Sequence, residues 1–371
     1  MKKILALILT IAMAIALFTG CTGTTVVIGE CTCPADAHTE APAATEAATE
    51  APAATEAPAA AATEGAVKTG LAVSTNIADS TSATAEAEGE AKYDVTIAAV
   101  TVDDNGVIQS CAIDSIPASV KFDATGAITS DLTAAVPTKN EQGENYGMVA
   151  WGGAIAEWDA QVKAVADYAV GKTIDELKNG DIDMTTGKAK DGTDLQSSAT
   201  IYLAGYVYAI EAAVNNAQHL GAQAGDELVL TTMNEIKSST PADAENAGNA
   251  QLDSTIAVLT RKDGVITSCY IDSLQAKIAF DATGAITTDL TAPVATKNEL
   301  GEAYGMKAYA GAKYEWNEQA AAFAAYVTGL TAAQVEGIAV NEGTKPTDAD
   351  LAATVTIAVG GYKALIVKAA Q

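Results

Sequence analysis

Two segments carry a threonine where the chain could hold a phosphate: Asp194-Leu-Gln-Ser-Ser-Ala-Thr200-Ile and Asp350-Leu-Ala-Ala-Thr-Val-Thr356-Ile. Each runs from Asp and Leu through small residues to Thr-Ile, and each is followed by Gly-Tyr, at Gly205-Tyr206 and Gly361-Tyr362. Val207, Ile210, Ala213, Val214 and Ala217 then recur at helical spacing up to Gly221, which predicts a long helix starting after Thr200, with its counterpart after Thr356. Unpaired backbone N–H groups and the dipole at a helix N-terminus favour an anion. An ordinary N-cap uses the same residue types, so the surroundings must discriminate.

Other chemistries find little material. There are two histidines, His38 and His219, in unrelated contexts, so histidine acid–base or metal chemistry has almost nothing to work with. His219 reads as a surface or helix-end residue. The chain has no HExxH, no GxGxxG after a strand, no Walker loop and no nucleophile elbow. Asp plus Glu number 47 against 21 Lys plus Arg, a net charge of -26. That sign argues against a nucleic-acid partner and against a polybasic membrane contact.

The elements that must position the threonines come in duplicate. Val107-Ile-Gln-Ser-Cys111-Ala-Ile-Asp114-Ser recurs as Val265-Ile-Thr-Ser-Cys269-Tyr-Ile-Asp272-Ser, and Phe122-Asp-Ala-Thr-Gly126 recurs as Phe280-Asp-Ala-Thr-Gly284. Two units are expected at about 67–222 and 223–371, each long enough to fold alone. Both keep the same polar and aromatic set: Lys139/Lys297, Asn140/Asn298, Glu141/Glu299, Tyr146/Tyr304, Gly147/Gly305, Met148/Met306, Glu157/Glu315, Trp158/Trp316 and Gln161/Gln319. The tryptophans and tyrosines either offer a face to a planar ring or, for Trp158 and Trp316, anchor a helix to a sheet. Lys139 and Lys297 either neutralise a phosphate or are solvated. Met148 and Met306 read as core or hairpin filler.

Within a unit, Tyr93 to Val102 and Val107 to Ile113 alternate apolar and polar around Asp104-Asn-Gly106, a hairpin signal that Lys262-Asp-Gly264 repeats. Ala-Thr-Gly126 predicts a further tight reversal. Ile155, Trp158, Val162, Val165, Ala166 and Ala169 predict a helix, and Thr173-Ile-Asp-Glu176 and Thr331-Ala-Ala-Gln334 read as capping boxes. Cys111 and Cys269 occupy equivalent strand positions, so they read as buried free thiols and not as a disulfide. Hairpins first and helices later predict an α+β domain whose antiparallel sheet is covered on one side.

The N-terminus reads as an export signal. Lys2-Lys3 precede an apolar run from Ile4 to Phe18 that ends at Thr19-Gly20-Cys21. That ending resembles the bacterial lipoprotein processing site, which implies that Cys21 is acylated and becomes the first residue of the mature chain after a signal peptide over 1–20. Lipid chains contribute ~0.8 kcal/mol of membrane affinity per buried CH₂. Residues 21–66 form an Ala/Pro/Thr/Glu spacer with no apolar periodicity, expected to be a disordered tether reaching ~100 Å when extended at ~3 Å per residue. Cys31 and Cys33 alone cannot complete a tetrahedral zinc site and read as a minor redox or pairing feature, or as nothing.

The Asp194–Thr200 segment resembles the flavin-attachment motif Asp-x-x-Ser/Thr-Gly-Ala-Thr of the FMN-binding domains in the electron-transfer flavoprotein family, whose last threonine is phosphoester-linked to FMN. Asp194, Ser197, Ala199 and Thr200 match the motif, and Ser198 stands in place of its glycine. In the second copy Asp350 and Thr356 match, while Ala353, Thr354 and Val355 replace the Ser-Gly-Ala portion. Ser198 is compatible if the backbone there avoids positive φ. With leader, spacer and duplicated block, the chain is similar to the tandem FMN-domain, pheromone-encoding lipoproteins of Gram-positive bacteria.

The resemblance implies two FMN-binding-like domains carrying covalent FMN at Thr200 and Thr356. The other retained polar and aromatic residues would be non-covalent contacts, and a separate flavin transferase would load the cofactor. It further implies a lipid-anchored electron carrier on the extracellular face of the cytoplasmic membrane, reaching into the cell wall. Such a carrier would run between a membrane quinone or reductase donor and soluble or insoluble extracellular acceptors, with no substrate pocket. The rival readings are a surface-binding module that has lost its flavin and a lipoprotein supplying a solute or glycan to the envelope.

Overall fold

Strand formation follows the sequence most directly at the first hairpin. β1 (Lys68–Asn76), β2 (Gly89–Val102) and β3 (Ile108–Phe122) pair antiparallel in that order, with Ala98 opposite Ile113 and Val100 opposite Cys111. The carboxylate of Asp103 accepts the N–H groups of Asn105 and Val107, and Gly106 takes the left-handed φ of 80° that closes the turn. These elements belong to a computed structural model that describes residues 65–371. The signal segment, Cys21, Cys31, Cys33 and the spacer through residue 64 lie outside the described residues. Among the described residues no helix is long and apolar enough to cross a membrane.

The first repeat continues through α1 (Lys139–Gln142), a 3-10 turn over Gly143–Tyr146, α2 (Met148–Gly152), α3 (Trp158–Ala169) and α4 (Ile174–Asn179). The two-residue strands β4 (Ile182–Asp183) and β5 (Lys188–Ala189) follow, then α5 (Asp194–Ser198) and α6 (Ala204–Asn215). The second repeat runs β6 (Glu227–Glu235), β7 (Gly248–Lys262), β8 (Val265–Phe280), α7 (Lys297–Leu300), a 3-10 turn over Gly301–Tyr304 and α8 (Met306–Ala310). It ends with α9 (Trp316–Val327), α10 (Ala332–Glu336), α11 (Ala349–Thr354) and α12 (Gly360–Ala370). Antiparallel sheets with helices grouped after them make an α+β molecule.

Both expected capping boxes are present, Thr173 with Glu176 and Thr331 with Gln334, and Thr138–Glu141 and Thr296–Glu299 form two more. The tight reversal at Gly126 is closed by an N–H of Asp123 bonding to the carbonyl of Ala127. Cys111 is half-buried and Cys269 buried, both free; loss of hydration pushes the Cys111 thiol up to about 12 and Cys269 upward as well, which leaves both unreactive as thiolates.

Two expectations need correction. Helix α3 starts at Trp158, and Ile155 lies before it, exposed, because Glu157 takes the cap position. More importantly, each sheet is covered on both sides. Along β2, Tyr93, Val95, Ile97 and Ala99 enter a core shared with Leu252, Ile256, Val258 and Phe280 of the second repeat, while Ala98 and Val100 pack under the helices of the first. The order of layers is helices, sheet, sheet, helices, with one central core and one helix-side core in each repeat.

The central contact is reciprocal. The rings of Phe122 and Phe280 stack at 4.1 Å between centroids and 3° between planes. The N–H of Ala83 donates to the carbonyl of Gly284, and that of Ala242 to the carbonyl of Gly126, each at 2.8 Å. The Tyr93 hydroxyl donates to the carbonyl of Ala250 at 2.8 Å. Burying each phenylalanine contributes roughly 1.5–3 kcal/mol, so the repeats are joined as a core and not as beads.

Candidate functional site

Trp158 and Gln161 lie three residues apart on α3 and therefore share a face, as do Trp316 and Gln319 on α9. Gln161 is fully buried; its Oε1 accepts the N–H of Thr200 at 2.8 Å and the Thr200 hydroxyl at 3.2 Å. Its Nε2 donates to the carbonyl of Ala156 at 2.8 Å. Gln319, equally buried, accepts from the Thr356 N–H at 2.8 Å, the Thr356 hydroxyl at 3.0 Å and the Ile357 N–H at 3.2 Å. Its Nε2 donates to the carbonyl of Tyr314 at 2.9 Å and lies 3.9 Å from Met306 Sδ. Both threonines are exposed. The two copies thus hold an outward-facing threonine by the same buried amide.

The local backbone differs from the expected helix start. Asp194–Ser198 is itself a short helix, capped by the Thr193 side chain, which accepts the N–H of Gln196. Asp194 opens it, exposed, and its carbonyl accepts the hydroxyls of Ser197 at 2.7 Å and Ser198 at 3.2 Å. Ala199 then turns extended (φ -142°, ψ 115°) to bury its methyl, and Thr200 stands between two helices, with α6 starting only at Ala204. In the second copy Asp348 caps α11 and Asp350 lies exposed in its first turn. Val355 takes the extended role (φ -121°, ψ 103°) with its side chain fully buried, and Thr356 precedes α12. A β-branched residue suits that conformation. Ser198 sits within α5, and neither it nor Val355 takes a positive φ, so their replacement of the motif's small residues carries no strain.

Several retained residues serve the scaffold. Trp158 and Trp316 are each 3% exposed, so they are anchors and not open ring faces. The indole N–H of Trp158 donates to the Tyr206 hydroxyl at 3.0 Å, with the rings edge-on at 6.1 Å, and Trp316 meets Tyr362 at the same centroid distance. Burial raises the Tyr206 and Tyr362 phenols. Lys139 Nζ lies over the rings of Tyr146 (5.1 Å) and Trp158 (5.2 Å), and Lys297 over Tyr304 (4.9 Å) and Trp316 (5.4 Å). These lysines are held by aromatic faces.

Asn140 and Asn298 are pins from the first helix of each set to the sheet. Their Nδ2 atoms donate to the carbonyls of Ile113 (2.9 Å) and Ile271 (2.8 Å), and their N–H groups to the carboxylates of Asp114 (3.2 Å) and Asp272 (3.1 Å). Each side-chain amide thus gives one bond to the sheet. Burial pushes the Asp272 carboxyl up to about 6 and raises Asp114 in the same direction.

Glu157 caps α2 by accepting the N–H groups of Met148 (2.8 Å) and Val149 (3.0 Å), and Glu315 does the same for Met306 (2.8 Å) and Lys307 (3.0 Å) at α8. Met148 and Met306 are half-buried against the helix-side cores, as filler. Gly147 and Gly305 precede them with φ of 80° and 81°. Sequence reasoning missed Trp151 and Tyr309, which occupy equivalent places on α2 and α8 and are each 90% exposed. Their spacing matches that of Trp158 and Trp316, but because one is Trp and the other Tyr the repeat alignment hid them. His219 is at the surface as expected, its Nε2 3.0 Å from Asp104, which also pairs with Lys68 at 2.8 Å.

The arrangement presents a hydroxyl but nothing to activate it. The acceptor beside each threonine is an amide oxygen, which does not take a proton as a general base does. Among the described residues there is no cluster of three or more His, Cys, Asp or Glu side chains placed to hold a metal ion. No protein-family model, curated protein or solved structure matches the chain.

Proposed function

We propose that the protein is a surface-anchored electron carrier with FMN esterified to Thr200 and Thr356. On this reading it is lipidated at Cys21 and relays electrons from a membrane quinone or reductase to soluble or insoluble extracellular acceptors. The observation that carries the reading is the exposed threonine held in each repeat by a fully buried glutamine, Gln161 and Gln319.

The donor set fits a phosphoester. Esterifying Oγ1 removes the hydroxyl's own hydrogen bond, but the threonine N–H remains bonded to the glutamine Oε1, so the attachment point stays fixed. With no base beside either hydroxyl, loading belongs to a separate flavin transferase. FMN, once attached, supplies one- and two-electron exchange that the side chains lack. The chain orients it: Gln161 and Gln319 set the threonine, and Trp158 with Tyr206 and Trp316 with Tyr362 stiffen the helix behind it.

Full-length protein made alongside an active flavin transferase is expected to carry two FMN groups by intact mass and by flavin absorbance after denaturation. Thr200→Val and Thr356→Val are each expected to remove one group and leave the fold. Protein without any attached FMN, under a transferase shown to be active, overturns the carrier reading.

A further inference from the structure

An aromatic ring with most of its surface in water is unusual for a side chain of that size, and this molecule places one twice at equivalent positions. Trp151 and Tyr309 are each 90% exposed. Each rests on the glycine four residues before it: a Cβ on Gly147 would come within 2.3 Å of the Trp151 ring, and one on Gly305 within 2.4 Å of the Tyr309 ring. The N–H groups of Trp151 and Tyr309 bond to the carbonyls of those glycines at 2.9 Å. One part of each ring is therefore seated on backbone and the rest is open.

These platforms are tied to the helices that carry the threonine-holding glutamines. Met306 follows Gly305, and its Sδ lies 3.9 Å from the Nε2 of Gln319, the amide that holds Thr356. Glu157 and Glu315, each in the α3 or α9 N-cap position, fix the start of the platform helix. The neighbours of the two aromatics are not alike. Val149 and Ile155, two and four residues from Trp151 in sequence, are exposed, whereas Lys307 and Lys313 stand at the equivalent positions around Tyr309. A general apolar docking patch would be apolar in both repeats. A planar aromatic kept while its neighbours become lysines points to a planar ring as the occupant.

We propose that Trp151 and Tyr309 are stacking platforms for the isoalloxazine rings of the two flavins; this rests on the reading that FMN is attached at Thr200 and Thr356. The ribityl arm carries the ring away from its phosphate, so the stacking face belongs beside the threonine anchor and not on it. Stacked tryptophan and tyrosine quench flavin emission, which gives a readout independent of electron-transfer activity.

The test uses the full chain loaded by an active flavin transferase, with attached FMN counted by intact mass. In the Thr356→Val background, which isolates the first site, Trp151→Leu is expected to raise flavin emission per attached FMN several-fold, and Trp151→Tyr to keep it low. In the Thr200→Val background, Tyr309→Leu is expected to do the same for the second site. Full FMN attachment with unchanged emission in both leucine variants overturns the platforms and leaves the attachment reading standing. Wild-type protein with no FMN by mass overturns the attachment reading, and the platforms with it.

Discussion

Gln161 and Gln319 each place a single amide between a helix and a threonine, and both ends of that amide are used. Replacing Gln161 with Leu leaves the Ala156 carbonyl and the Thr200 N–H without their partner. Buried groups orphaned this way cost about 1–3 kcal/mol. Gln161→Leu is therefore expected to lower the unfolding free energy read from urea denaturation by that amount and to reduce FMN attachment at Thr200, with Thr356 loading unchanged; equal loading of both sites by mass would contradict the anchoring role. Asp272 provides a pH-dependent companion. Its carboxyl is raised to about 6, so the folded chain holds a proton there that the unfolded chain has released, and stability contributed by the neutral form is lost as pH rises from about 4 to 6. The loss amounts to about 3 kcal/mol at most. Asp272→Asn keeps an oxygen for the Ser273 and Asn298 N–H groups and is expected to flatten the denaturation midpoint across that window; parallel profiles for the two proteins would refute it.

At the scale of elements, the reversals at Gly126 and Gly284 do more than turn the chain. Both take positive φ, 74° and 69°, and a Cβ on either would come within 2.7 Å or 2.6 Å of an alanine Cβ in the other repeat. Gly126→Ala is expected to cost roughly 2–4 kcal/mol, left-handed strain plus overpacking. Gly106→Ala, at φ 80° with nothing within 4 Å, carries the strain alone and serves as the control. Equal losses in urea denaturation would mean that the Gly126 loop does not mesh with its partner. This contrast marks what the sequence made legible. Hairpins, turns and capping boxes are decided within a few residues, so they could be read directly. The second cover of each sheet depends on residues about 160 positions away, and alternation along Tyr93–Ala99 does not say what lies opposite. The threonine loop was misplaced for a related reason: burial of Ala199 and Val355 interrupts what helical spacing alone would run together. Trp151 and Tyr309 escaped because exposure is a property of the fold and their types differ.

For the whole molecule, the shared core decides how the duplication can be taken apart. Tyr93, Val95, Ile97 and Phe122 are all fully buried, and what buries them includes Leu252, Ile256, Val258 and Phe280. A chain cut after residue 222 leaves this face in water, where each large side chain forfeits roughly 1.5–3 kcal/mol of transfer free energy, a sum comparable with the whole stability of a domain of that size. Length alone suggested that each repeat could fold independently; the core argues otherwise. The contacts are reciprocal, with Gly126 bonded to Ala242 and Gly284 to Ala83, so an isolated repeat presents both halves of its own missing interface. Residues 65–222 expressed alone are therefore expected to unfold or to pair with a second copy of themselves, Phe122 on Phe122, at micromolar concentration. Mixed with residues 223–371, they are expected to form a one-to-one complex that unfolds in a single transition with the midpoint lowered relative to the intact chain. Light scattering and urea denaturation distinguish these outcomes. A 65–222 fragment that is monomeric and unfolds cooperatively would show that the central core is an interface between independent domains, and the predicted penalty at Gly126 would then be confined to that interface and leave each repeat's own stability untouched.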